Sequence, residues 1–232
     1  MKMKKWAALA ALLLAVGAAT GATAEVAVND HVFFGHYEQD NDLTNGTEAI
    51  EWRVLKVENG EALLISQYAL DSQPYNEKYA VALWSECTLR TWLNTVFYDA
   101  AFNDTEKQGI VTKELENWKD VNTQDTVSLL DNDEAKTLFE NHADRMTVPT
   151  AYAIAQGAWQ SQKYGPGNAQ WWLRSHSWEE KHRGAYVAGS GGVMTCGGNS
   201  MGRVDNARLS VRPAIYVATD ALEAAVFFSD RR

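Results

Sequence analysis

The dipeptide Asn59-Gly60 constrains this chain more than any other pair of neighbours, because both residues accept the positive backbone angles of a two-residue hairpin turn. It separates two apolar runs, Ile50 to Val57 and Ala62 to Ile65, which the turn pairs as antiparallel strands. An early hairpin commits the fold to a sheet. His31 to Tyr37 reads as a strand before it, joined by the polar loop Glu38 to Thr47. Ser85 is placed to cap a helix whose residues Leu89, Trp92, Leu93, Val96 and Phe97 recur at the spacing of one buried face. Asn103 with Glu106, and Asp131 with Glu134, have the form of capping boxes, predicting one short helix after Asp104 and another from Asn132 to Glu140. Between them Thr126 to Leu130 reads as a strand. Pro149 suits the first turn of a helix running through Gln156, with Gly157 available to end it.

The last third consists of short strands among Gly-rich loops: Gln170 to Arg174, Ala185 to Ala188, Val193 to Thr195 and Val211 to Ala218. Helices early and strands at both ends predict an α+β domain, with the first and last strands as sheet neighbours.

The N-terminus has its own logic. Lys2, Lys4 and Lys5 precede an apolar stretch from Trp6 to Val16, and Ala22-Thr23-Ala24 is a small-residue cleavage pattern. Residues 1–24 therefore read as a signal peptide, residues 25–232 as a single domain, and the destination as secreted or cell-envelope. No cysteine stands near the cleavage site for a lipid anchor, and no later stretch is long and apolar enough to span a bilayer. Loss of three lysines leaves 18 basic against 30 acidic side chains, which disfavours nucleic acid or an anionic membrane as partner. Cys87 and Cys196 are the only cysteines. A bridge between them would stabilise by up to about 4 kcal/mol in the chain-entropy model; the alternative is two separate buried thiols.

Several segments together carry a resemblance: Phe34-Gly35-His36-Tyr37-Glu38-Gln39, Ile50-Glu51-Trp52-Arg53-Val54-Leu55, Leu63-Leu64-Ile65-Ser66, Cys87-Thr88-Leu89-Arg90-Thr91-Trp92-Leu93-Asn94, Trp171-Trp172-Leu173-Arg174-Ser175, Ala185-Tyr186-Val187 and Val211-Arg212-Pro213-Ala214. In that order they resemble a family of bacterial exported proteins of unknown function, over nearly all of residues 31 to 218. The family in turn resembles the C-type-lectin-like fold, which includes formylglycine-generating enzymes, phage tropism determinants and retroelement-diversified proteins. The resemblance implies a twisted antiparallel sheet, one long amphipathic helix, short helices and long C-terminal loops that form the ligand face, here His176 to Leu209.

Within those loops Trp178, His182, Arg183, Tyr186, Asn199, Arg203, Asp205 and Asn206 mix flat aromatics, charges and amides, a combination suited to recognising a protein or a glycan. The plainer reading is an ordinary solvated loop region. Arg174 and Arg212 lie in strands, where pairing with carboxylates or backbone carbonyls would lock the sheet. Trp171, Trp172 and Leu173 read as core. Catalysis has weaker support: Cys196 with His182 is the one thiol-imidazole pair to test, and Cys87 looks buried. Formylglycine-generating enzymes use two late cysteines for copper and oxygen chemistry, and the last third of this chain has one.

The five histidines form neither a Cys-x-x-Cys nor a His-Glu-x-x-His pattern, so no transition-metal site and no cofactor is expected. Asp40, Asp42, Thr44, Gly46, Glu48 and Glu51 approach calcium-loop spacing, but Asn45 stands where the loop's glycine belongs, and no metal is expected there either. The sugar-binding signatures of true C-type lectins are absent. Glu179 and Glu180 read as solvated. The expected function is a non-enzymatic exported binding module, the alternatives being an envelope enzyme or a structural envelope component.

Overall fold

The computed structural model describes residues 25–163, 165–177, 180–195, 202–222 and 227–228; the expected signal peptide, Trp178, Asn199 and Cys196 lie outside them. β1 (His31–Tyr37) pairs antiparallel with β2 (Glu48–Glu58), which Asn59 and Gly60, at φ of 55° and 77°, turn back into β3 (Glu61–Ser66). The hairpin forms in the predicted place because its turn needs only those two residues. After the two-residue β4 (Asp71–Ser72) the chain enters its helical section.

That section departs from the sequence expectation. Ser85 sits in a 3-10 turn, Trp84–Glu86, and the helix is capped instead by Cys87, whose thiol accepts the Arg90 N–H at 3.4 Å. An α-helical Thr88–Trp92 passes into a π-helical Leu93–Phe97 and then an α-helical Tyr98–Ala101. Leu89, Leu93 and Phe97 are buried, but Val96 is 59% exposed. The wider π turn moves the inward face off the regular spacing that would have included Val96. Asn94 exploits the shift: its side chain donates to Val127 O and accepts from the backbone N–H of Thr126 and Val127.

Both capping boxes form, on Asp104–Gly109 and Asn132–Thr137. Around them lie β5 (Ile110–Val111), β6 (Lys113–Leu115), β7 (Thr123–Asp125) and β8 (Val127–Ser128). The helix after Pro149 is Ala151–Ala155, with the Thr150 hydroxyl as its cap. There follow β9 (Trp171–His176), β10 (Gly184–Val187), β11 (Val193–Met194), β12 (Ser210–Val211), β13 (Ala214–Ala218) and β14 (Phe227–Phe228).

The predicted strand Val211 to Ala218 is thus two strands in two sheets. β12 lies in a five-stranded sheet ordered β11-β10-β9-β12-β4, while β13 lies in a seven-stranded sheet ordered β14-β1-β2-β3-β13-β5, with β8 also on β13. Arg212-Pro213 is the crossing, because proline has no N–H to give a ladder. The partner of β13 is β3, not β1, whose outer neighbour is β14. β6 and β7 form a separate hairpin.

The core follows the two-residue period of the strands. Along β3, Ala62 and Leu64 pack into one apolar cluster with Trp52, Trp84, Phe97 and Trp172, and Leu63 and Ile65 into a second with Phe139, Trp171 and Leu173. Trp171, Trp172 and Leu173 are core residues, as expected. The protein mixes α and β structure, with largely antiparallel sheets and short helices. No described helix is long and apolar enough to cross a membrane.

Candidate functional site

A cleft of about 270 Å³ opens where the loop 116–120, the helix Asn132–Thr137 and the end of β9 meet. Its floor is fixed from beneath. Tyr75 is fully buried between the rings of Trp84 and Trp172 and donates its hydroxyl to Arg174 O at 2.6 Å. Trp84 donates its indole N–H to Asp125 at 2.8 Å.

Arg174, only 5% exposed, holds the helix wall. One guanidinium nitrogen meets Asp131 at 2.8 Å and the other meets Glu134 and Leu129 O. Asp131 and Glu134 are also the two halves of the capping box, so one cation fixes the helix start against β9. Asn132 donates its backbone N–H to Ser175 Oγ at 3.1 Å, a second tie.

The opposite wall carries Trp118, 51% exposed, with its ring 5.4 Å from that of buried His176 and the Lys119 ammonium 4.3 Å from the indole centroid. Burial, reinforced by the nearby charge of Lys181, lowers the His176 pKa below its usual 6.5, so the imidazole is neutral at pH 7. Asp120 anchors the loop by accepting the Ser85 N–H and hydroxyl at 2.9 and 2.6 Å.

Three lining residues have buried polar atoms without a hydrogen-bond partner: Asn117 Oδ1, Asn132 Oδ1 and Arg174 Nε. All three atoms have almost no solvent-accessible surface, so they lie behind the cleft's walls rather than on them. A flat aromatic beside them offers stacking to an apolar sugar or amide face.

The residues expected to bind ligand fall elsewhere. His182 and Arg183 both reach Glu180, at 2.9 and 2.5 Å, and Arg203 grips Asp205 through two hydrogen bonds of 3.0 and 2.7 Å. Tyr79 joins them, with the Arg203 guanidinium 4.3 Å from its ring centroid and the His182 ring 5.0 Å away. Arg183 and Arg203 are bridged through their backbones, so His182, Arg183, Arg203 and Asp205 do share one surface. Asn206 accepts the Arg208 N–H and shapes the turn. Tyr186 is 5% exposed and belongs to the core, because both faces of β10 are covered. None of these described residues lines the cleft, which among the described residues touches the expected 176–209 surface only at His176 and Thr195. The sequence signal for Trp118 was a lone indole inside the polar run Glu116 to Asp120.

Among the described residues Cys87 is an unbridged, buried thiol, and burial pushes its pKa up to about 12. Cys196, the other half of the candidate bridge, lies outside the described residues. Arg212 is held as the sheet lock anticipated, donating to Ser66 O at 2.8 Å, Arg145 O at 3.2 Å and Gln67 O at 3.4 Å.

A family profile described as Domain of unknown function (DUF6273) matches residues 59–219, more than half of the chain. The chain belongs to this family. The DUF6273 match begins at the hairpin turn and includes every residue of the cleft. The sequence segments at 34–39 and 50–55 precede it. No curated protein matches, and no solved structure does.

Proposed function

We propose that this DUF6273 protein is an exported, non-enzymatic binding module with a C-type-lectin-like core, and that its cleft takes a hydroxyl- and amide-bearing unit of an envelope glycan. The observation that carries the reading is the half-exposed Trp118 ring in a cleft that the polar residues Asn117, Asn132, Asp133 and Lys136 also line. Stacking supplies area, and the polar side chains of the lining supply direction. Export is supported by the basic, apolar and small-residue segments of residues 1–24. The lectin-like core is supported by the order of elements, an early hairpin, a helix, a Trp-rich strand and a late strand returning to the hairpin.

The alternative of a thiol enzyme rests on Cys196 with His182, and Cys196 lies outside the described residues; Cys87, buried and protonated at neutral pH, adds no second nucleophile. The His182, Arg183 and Arg203 surface, away from the cleft lining, has its charges paired with Glu180 and Asp205.

The test is a glycan array followed by calorimetric titration of the best hit. Trp118→Ala, at an exposed site, keeps the unfolding temperature within about 2 °C and lowers affinity at least tenfold, about 1.4 kcal/mol. Equal affinity for wild type and Trp118→Ala would remove the cleft from the mechanism. Failure on glycans with specific capture of an envelope protein would redirect the ligand class.

A further inference from the structure

The loop between β1 and β2 contains a second constellation, outside the span that matches the family and independent of the cleft. One carboxylate oxygen from each of Glu38, Asp40 and Glu48 lies within 4.8 Å of the others. Two oxygens on opposite sides of a calcium ion, each about 2.4 Å from it, are about 4.8 Å apart, so the spacing of the three is of the size one coordination shell needs, with small side-chain adjustments to close on the ion.

The second observation is Glu38 itself. It is 8% exposed, and its Oε1 has no hydrogen-bond partner. A buried carboxylate beside two others is costly unless a positive charge compensates it. Among the described residues no basic side chain pairs with any of the three. Besides the contact of Glu38 with Asp40, the groups that reach them are neutral: the Asn41 backbone approaches Glu38, Glu48 accepts the N–H of Gln39 at 2.6 Å and of Asp40 at 3.3 Å, and Asp40 accepts the Asp42 N–H at 2.7 Å and the Asn45 amide at 2.8 Å. These bonds aim the carboxylates without cancelling their charge.

The loop is also held in shape by other contacts. Gln39 Nε2 bonds Ala49 O at 3.0 Å, and Gln39 O accepts the Tyr152 N–H at 3.0 Å. The geometry points to a calcium site formed by Glu38, Asp40 and Glu48, open to water on the Asp40 side. The ligand set differs from the one that sequence spacing suggested, because Asp42 spends Oδ1 on the N–H and hydroxyl of Thr44. Three carboxylates with the remaining positions taken by water place the affinity among extracellular modules, at a dissociation constant of about 0.1–1 mM.

The test is calorimetry and thermal unfolding of the purified, EDTA-treated protein titrated with calcium chloride. The expected result is saturable binding of one ion, with the unfolding temperature raised by about 4 °C at tenfold excess over the dissociation constant. Glu38→Gln lowers the affinity at least tenfold, as does Asp40→Asn at its exposed position should Glu38→Gln not fold, whereas Asp42→Asn leaves it unchanged. No binding up to about 10 mM calcium overturns the site. So does calcium-independent stabilisation by Glu38→Gln with no ion uptake in wild type, which would mean that the trio shares a proton. Binding unaltered by Glu38→Gln and Asp40→Asn overturns it as well.

Discussion

Replacing Arg174 by methionine isolates the contact that joins the helix wall of the cleft to β9. Methionine keeps most of the apolar stem and removes the guanidinium, so the loss is electrostatic rather than volumetric. Three partners are then abandoned: Asp131, Glu134 and Leu129 O. Breaking a buried ion pair from one side costs about 3–5 kcal/mol. Here the two carboxylates are 28% and 25% exposed and recover part of their hydration, which selects the lower end, about 3 kcal/mol. For a domain of this size that is a fall in melting temperature of about 9 °C. Urea and thermal unfolding followed by circular dichroism measure it. The cycle with Glu134→Gln adds a sharper criterion, because Arg174 and Glu134 touch: the double variant should be less damaged than the sum by about 1 kcal/mol or more. A loss below about 1 kcal/mol in Arg174→Met, or strict additivity in the cycle, would refute the idea that this cation fixes the helix start.

Two further predictions concern titration. Asp144 is gripped by both terminal nitrogens of Arg53, at 2.7 and 3.0 Å, which holds its carboxyl below the ordinary 3.8. A depressed carboxylate pKa contributes stability that is present above pH 3.8 and lost as pH falls through the folded value, so Asp144→Asn should flatten the acid limb of stability below about pH 4. Parallel limbs for the two proteins would contradict it. Cys87, with its thiol at about 12, should resist thiol reagents in the native protein at pH 8 and react fully once unfolded. Protection that persists in denaturant, with the mass of two missing hydrogens, would instead establish the bridge to Cys196.

What was legible in the sequence was what depends on near neighbours. The turn at Asn59-Gly60 and the boxes Asn103–Glu106 and Asp131–Glu134 are fixed by residues within a few positions, and all three form. Val96 was misplaced because the π turn accompanies the docking of Asn94 on the 126–127 backbone, a contact between distant segments. Pro213 did signal the break between β12 and β13, yet the apolar run around it outweighed the signal. Tyr186 was assigned to the ligand surface because loops flank its strand, while the covering of both faces of β10 is a tertiary fact. The locking roles of Arg174 and Arg212 were readable from charge in apolar strands, but their partners were not.

Those partners show how the cleft is preorganised. Arg53 from the large sheet holds Asp144, Arg174 from the small sheet holds Asp131 and Glu134, and Arg212 from the crossing between the sheets holds Arg145 O. Arg145 in turn donates to Ala135 O at 3.3 Å and to Gly191 O at 2.7 Å. The segment 131–145, which contributes the helix wall, is therefore pinned at five places by four buried or half-buried guanidinium groups. A wall fixed in this way leaves little ordering to be done when a ligand arrives, so less of the binding free energy is lost to conformational entropy.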